Sequence, residues 1–140
     1  MVVDASVAVK WMLPAAGEPL AREAADLLEA YTRGEIQFIV PDLFWIECGN
    51  VFWKAARQGR LTSEAAGSAV TDLMDLDLST VPSKSLLDKA LVIAIGFERT
   101  LYDAMYVALA IESKGHLVTA DERLANTLAS RLPVKWLGAV

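Results

Sequence analysis

Hydrophobic positions in this chain alternate between short unbroken runs and longer stretches of helical period. Met1-Val2-Val3 closes at Asp4, which predicts a strand over residues 1–4. Val7, Ala8, Trp11 and Met12 then recur at helical spacing, with Ser6 placed to cap that helix and Pro14 to end it. Pro19 suits the first turn of a second helix, whose inward positions Leu20, Ala24, Leu27, Leu28 and Tyr31 run up to Gly34. Ile36 to Val40 is a continuous β-rich run, as in a strand buried on both faces. Pro41-Asp42 opens a third helix to about Gln58, and Thr62 caps a fourth with Ala66, Val70, Leu73 and Met74 inward. Leu76 to Val81 is read as a third strand although Asp77 interrupts it. Ser83 or Ser85 starts a helix ending near Gly96, and Leu101 to Lys114 forms another, closed by Gly115. Leu117 to Ala120 is a fourth strand, Glu122 to Leu132 a short helix, and Val134 to Leu137 a last edge strand. Strands alternating with helices predict a parallel sheet covered on both faces. No repeat, linker or low-complexity segment interrupts the pattern, so residues 1–140 read as one domain.

Composition narrows the class. A chain of 140 residues buries roughly 68–70% of its unfolded surface, enough for a full core. Its apolar runs are broken by Asp, Glu, Lys or Gly well short of the roughly 20 residues a spanning helix needs. MVVDAS has no basic region ahead of an apolar segment, so no signal peptide is expected, and a lone cysteine, Cys48, forms no internal disulfide. Together these predict a cytoplasmic protein, with Cys48 in the core. The net charge of −5 argues against a broad basic face for nucleic acid.

Against that background four isolated acids stand out: Asp4 in MVVDASV, Glu47 in LFWIECGNVFW, Asp103 in TLYDAMYVALA and Asp121 in HLVTADERL. Carboxylates are almost never buried without a partner, and an unpaired buried charge costs several kcal/mol or neutralises itself by a pKa shift. Asp4 and Asp121 fall at the carboxyl ends of predicted strands, where open parallel sheets bind ligands; each also fits a helix N-cap. Asp103 precedes the apolar run Ala104 to Ile111, and an acid in a first helical turn is also favoured by the helix dipole alone. At ~100° per residue, Glu47, Asn50, Lys54 and Arg57 share one stripe of the third helix. Ile46 and Trp53 flank it on one side, Leu43 and Val51 on the other. A narrow polar seam between large apolar groups suits side chains aimed into a cleft better than a solvated face. One shared divalent cation, Mg²⁺ or Mn²⁺, accounts for all four acids together, because such ions take hard oxygen ligands.

That cation would offset the local negative charge, and Lys10, Lys54, Arg57 and Arg60 supply basic groups near the acids for a small phosphodiester footprint. His116 is the only histidine, which removes a Ser/His/Asp triad, and it reads as a packing or surface residue. No P-loop, GxGxxG, CxxC pair or HExxH is present. Metal-dependent phosphodiester hydrolysis is the chemistry left, since a metal held by carboxylates can activate water and stabilise a leaving oxygen.

VVDASVAVKW, PDLFWIECGNVFWK, TLYDAMYVALA and LVTADERL, in that order and over nearly the whole chain, resemble the PIN-domain proteins, and most closely the VapC-type toxins of toxin–antitoxin pairs. The resemblance implies a three-layer α/β/α sandwich around a central, mainly parallel sheet. It implies a Mg²⁺- or Mn²⁺-dependent endoribonuclease, commonly a homodimer, held inactive by a cognate antitoxin protein. By position Asp4, Glu47, Asp103 and Asp121 match the family's acidic quartet, with Asp4 and Asp103 as the firmest metal ligands. Glu47 would complete the site or orient the attacking water, and Asp121 would act directly or through water. Ser6 and Thr119 match hydroxyls that orient these acids, and Asn50 a polar position beside the glutamate. Two other readings stay open: a PIN nuclease acting in RNA processing or on DNA, and a non-catalytic module using an apolar surface.

Overall fold

The computed structural model describes residues 1–140. Five parallel strands form its sheet: β1 (Val2–Val3), β2 (Ile39–Pro41), β3 (Ser79–Val81), β4 (Leu117–Thr119) and β5 (Val134–Trp136). Their spatial order is β3-β2-β1-β4-β5. The helices are α1 (Ala5–Met12), α2 (Ala21–Thr32), α3 (Leu43–Arg57), α4 (Ser63–Asp75), α5 (Leu87–Phe97), α6 (Leu101–Glu112) and α7 (Glu122–Leu128). Single 3₁₀ turns cover Ser83–Leu86 and Leu137–Ala139.

Right-handed crossovers between parallel strands decide the layering. The steps β1 to β2 and β2 to β3 run in one direction and place α1 to α4 on one face, where these helices pack against one another. The steps from β3 back to β4 and from β4 out to β5 place α5, α6 and α7 on the other. This is the parallel sheet covered on both faces that the sequence pattern predicts, and the three-layer α/β/α sandwich that the resemblance implies. The core joins the layers in one cluster of 36 buried residues, including Val2, Val3, Phe38, Phe44, Phe52, Leu109 and Leu117.

Helix α6 is buried from Ala104 through Ala110 and lies across β1, β2 and β4. That position explains why its sequence is apolar nearly all round. The backbone just ahead of α6 is unusual: Glu98 sits in the left-handed region at φ 53°, letting the chain reverse within three residues between α5 and α6.

Several boundaries differ from the sequence reading. The first helix starts at Ala5, so Asp4 rather than Ser6 occupies the N-cap position. The second starts at Ala21 after a left-handed Leu20, so Pro19 lies outside it. Strands shrink to the two or three residues that pair, and Leu76 to Leu78 form the approach to β3 rather than part of it. Helix α6 closes through a left-handed Lys114 rather than through Gly115. Met74 points outward, 55% exposed.

Candidate active site

The order of the strands makes β1 a switch point. The chain leaves β1 toward β2 on one side, while β4 pairs with β1 on the other. A crevice opens outside the carboxyl ends of such strands. Asp4 directly follows β1, and Asp121 comes just after β4 with Ala120 between, so the paired strands carry both acids to the same edge. Helix α3 leaves that edge straight after β2 and presents Glu47 in its second turn. Helix α6 runs back toward the start of β4, so its first turn, with Asp103, lies at that edge too.

Electrostatic coupling ties the acids together. Asp103 raises the pKa of both Asp4 and Glu47, and Asp121 raises that of Asp103. Asp4 is 9% exposed. Burial pushes its pKa up to about 6, against the lowering effect of the Ser6 and Thr119 hydroxyls and the Val7 N–H. Glu47 and Asp103 are half-buried and are likewise raised, first by desolvation. Asp4 makes no capping hydrogen bond; the Val7 and Ala8 N–H groups bond its main-chain carbonyl instead. Its carboxylate accepts from the Ser6 hydroxyl.

Hydroxyls hold this arrangement. Ser6 Oγ donates to Asp4 Oδ1 and accepts from the Ala120 N–H at 2.9 Å. The fully buried Thr119 accepts from the Asp121 N–H at 3.1 Å and lies 3.4 Å from Ser6 Oγ. One chain of contacts therefore links the ends of β1 and β4. Asp121 serves as the N-cap of α7, accepting from the Leu124 N–H at 3.0 Å, and is exposed. The capping alternative is thus realised at Asp121 and not at Asp4.

Two residues of the site escaped the sequence reading. Tyr106, buried in α6, donates to Glu47 Oε1 at 2.5 Å. Its place one turn after Asp103, as the one hydroxyl in an otherwise apolar run, was the signal available. Arg99 reaches Asp103 Oδ2 at 3.7 Å; its polar neighbours in ERTLYD hid it.

The polar stripe of α3 is not hemmed in as expected. Ile46 is 77% and Trp53 51% exposed, so the stripe borders open apolar surface, and Asn50 is itself exposed. Arg57 stacks over Trp53 at 5.1 Å, and both line a surface pocket of about 420 Å³ with Lys54 and Gln58. Neither Lys54 nor Arg57 forms an ion pair. Lys10 and Arg60 do: both bind Glu18, at 2.8 and 3.2 Å, which removes them from the basic footprint. His116 is half-buried, its pKa lowered by desolvation and then by Lys135 and the N-terminus. Cys48 is a buried free thiol whose pKa burial drives far up, as a core role requires.

The donor set suits a hard divalent cation: four carboxylates with a single cationic partner among them, Asp4, Glu47 and Asp103 being raised in pKa by desolvation and by a neighbouring acid. As the side chains stand, no three His, Cys, Asp or Glu groups form a ready ligand set. Closing one around an ion requires side-chain rotation.

A PIN-domain family profile matches residues 1–128. The chain belongs to the PIN-domain family. Among curated relatives, Ribonuclease VapC3 of Pyrobaculum aerophilum is 32% identical over 129 residues, covering 90% of this chain and 92% of that protein. Exonuclease VapC9 of the same organism is 34% identical over 91 residues, 65% of this chain and 67% of that one. These likenesses put the present PIN domain with the VapC-type members. The crystal structure of PAE2754 from Pyrobaculum aerophilum superposes with a TM-score of 0.70 at 26% identity, over 99% of this chain and 83% of that one. A toxin–antitoxin complex from Klebsiella pneumoniae gives a TM-score of 0.63 at 18% identity, over 96% and 94%, a likeness of fold.

Proposed function

We propose that this PIN domain is a divalent-metal-dependent endoribonuclease, the toxin of a toxin–antitoxin pair. The observation that carries the reading is the meeting of Asp4, Glu47, Asp103 and Asp121 at the switch point between β1 and β4. Burial and mutual repulsion raise the pKa values of the first three, and Arg99 offsets this only in part and only at Asp103. The whole-length likeness to a protein named as a ribonuclease supports the substrate class. The relative named as an exonuclease makes the mode of attack a point for experiment.

Asp4, Asp103 and Glu47 would hold Mg²⁺ or Mn²⁺, with Asp121 joining through its carboxylate oxygen not used in capping. When bound, the ion supplies charge neutralisation and a more acidic water. Ser6 fixes the orientation of Asp4, and Tyr106 fixes Glu47 toward the crevice. Hydrolysis forms one bond from a water oxygen to phosphorus and breaks one ester P–O bond. A proton must leave the water and another must reach the departing oxygen. Glu47, anchored to Tyr106 through one oxygen, would use its second either to complete the ion's ligands or to orient that water and take its proton, with the departing oxygen protonated from solvent water. Lys54 and Arg57, unpaired and on the helix that carries Glu47, are placed to meet flanking phosphates, with Asn50 between.

The apolar surfaces fit the partners this reading names. Leu91, Val92 and Ile95 of α5 are 52, 72 and 71% exposed, a face suited to a second copy of the chain. The groove between α3 and α4, lined by Phe52, Trp53, Ala56, Ala66 and Val70, offers an antitoxin segment apolar contact. No helix is long and apolar enough to cross a membrane. Induced expression in a bacterial host tests the reading: growth arrest is expected, relieved by Asp103→Asn and by co-expression of a cognate antitoxin. Arrest by Asp103→Asn equal to wild type would instead favour a non-catalytic interaction module.

A further inference from the structure

Arg99 is the only basic side chain paired with any of the four acids. Its contact with Asp103 is loose, one Nη2 atom at 3.7 Å from Oδ2, and its Nε is buried with no hydrogen-bond partner. A guanidinium with five donors, one distant carboxylate and a stranded Nε–H is under-used. Its position is firm nonetheless. The left-handed Glu98 turns the chain, the Arg99 N–H bonds the Ala94 carbonyl at 3.1 Å, and Thr100 caps α6 immediately after. The side chain is 21% exposed and meets the crevice through its contact with Asp103.

We propose that Arg99 is a phosphodiester ligand of the crevice, pairing with Asp103 in the free protein and turning its guanidinium to the scissile phosphate when RNA enters. The proposal rests on the nuclease reading above. Were the acids to hold a cation, Asp103 would be shared with it and the guanidinium would lose part of its hold on that carboxylate. An entering phosphodiester brings a negative charge and two unshared oxygens to a fork shaped for that group. The stranded Nε–H then gains an acceptor. Arg99 also places one fixed positive charge inside an acidic crevice that would otherwise repel the RNA backbone, while Lys54 and Arg57 act from outside it.

The test compares wild type with Arg99→Met, which keeps the apolar stem, and Arg99→Lys, which keeps the charge. Binding of an oligouridine is measured across a salt series with Ca²⁺ in place of Mn²⁺, so that the site is filled without cleavage, and Mn²⁺ binding is measured calorimetrically without RNA. For Arg99→Met, oligonucleotide affinity is expected to fall about ten- to hundredfold, with the salt slope shallower by roughly 0.7, the value of one lost phosphate contact on a single strand. Mn²⁺ should bind several-fold more tightly, because a competitor for Asp103 is gone. Arg99→Lys should restore the slope but only part of the affinity. Unchanged oligonucleotide binding, or weaker Mn²⁺ binding, in a folded Arg99→Met protein would overturn the proposal and make Arg99 a structural brace for Asp103. Wild type that binds no oligonucleotide would overturn the nuclease reading along with it; wild type that binds and cuts RNA while Arg99→Met behaves identically overturns the Arg99 role alone.

Discussion

Replacing Asp4 by Asn should stabilise the metal-free protein while abolishing its activity. Asp4 is 9% exposed with no cationic partner, and burial raises its pKa from 3.8 to about 6. A carboxyl with a raised folded-state pKa destabilises the fold as pH rises above its unfolded value, and the full cost is present once pH passes the folded one. Each tenfold rise in proton affinity is worth about 1.4 kcal/mol, so at pH 7 the ionised Asp4 costs the fold about 3 kcal/mol. At pH 5 the same linkage leaves about half of that, and near pH 3 almost none. Asn keeps the shape and the acceptor for Ser6 without the charge, so the variant should recover most of the deficit. For a chain of this size that corresponds to a Tm gain on the order of 10 °C at pH 7. Thermal melts of both proteins in EDTA at pH 7, 5 and 3 would measure it. The gain should shrink steadily toward pH 3, and added Mn²⁺ should raise the Tm of wild type only. A variant less stable than wild type at pH 7, or a difference independent of pH, would refute the idea that Asp4 is held ionised against its surroundings for a ligand.

Further outcomes follow from the neighbouring contacts. Tyr106→Phe removes only the hydroxyl that donates to Glu47; kcat should fall about ten- to hundredfold with little change in Tm. Because that hydroxyl lowers the Glu47 pKa, its loss should move the acid limb of the activity–pH profile to higher pH. Alanine at both Lys54 and Arg57 should raise KM and flatten its salt dependence by roughly 1.4 for two phosphate contacts, leaving kcat near wild type in steady-state assays. Ile95→Asp on the exposed face of α5 should give a monomer by light scattering if that face joins two copies, with Tm little altered because the side chain is 71% exposed.

The architecture was legible because the apolar runs that make buried parallel strands are short, unbroken and spaced by helical periods. The reading of Asp4 as more than a cap was legible in its setting, three residues into a chain that would otherwise bury it. Its neighbour Ser6 was misplaced as the cap because propensity cannot tell which of two nearby polar residues bonds the first turn. Here neither side chain does so, and Ser6 turns back to Asp4. The stripe through Glu47 was right in angle and wrong in setting. Helical phase reports which residues share a face, while the exposure of Ile46 and Trp53 depends on where α4 ends up. Tyr106 and Arg99 were passed over: Tyr106 offered only a lone hydroxyl in an apolar run and meets Glu47 across α3 and α6, and Arg99 stands four residues before Asp103 among other polar residues. Lys10 and Arg60 looked free for substrate until the fold brought Glu18 between them.

Cleavage of a total-RNA pool by the purified, partner-free protein, titrated with Mn²⁺ and Mg²⁺ and repeated with Asp103→Asn, bears on everything above. Internal cuts that appear with the ion and vanish in the variant, with its fold intact by circular dichroism, are the expected result. Metal-independent cutting, or cutting unchanged in Asp103→Asn, would contradict an acidic, metal-dependent nuclease site at the end of β1 and β4.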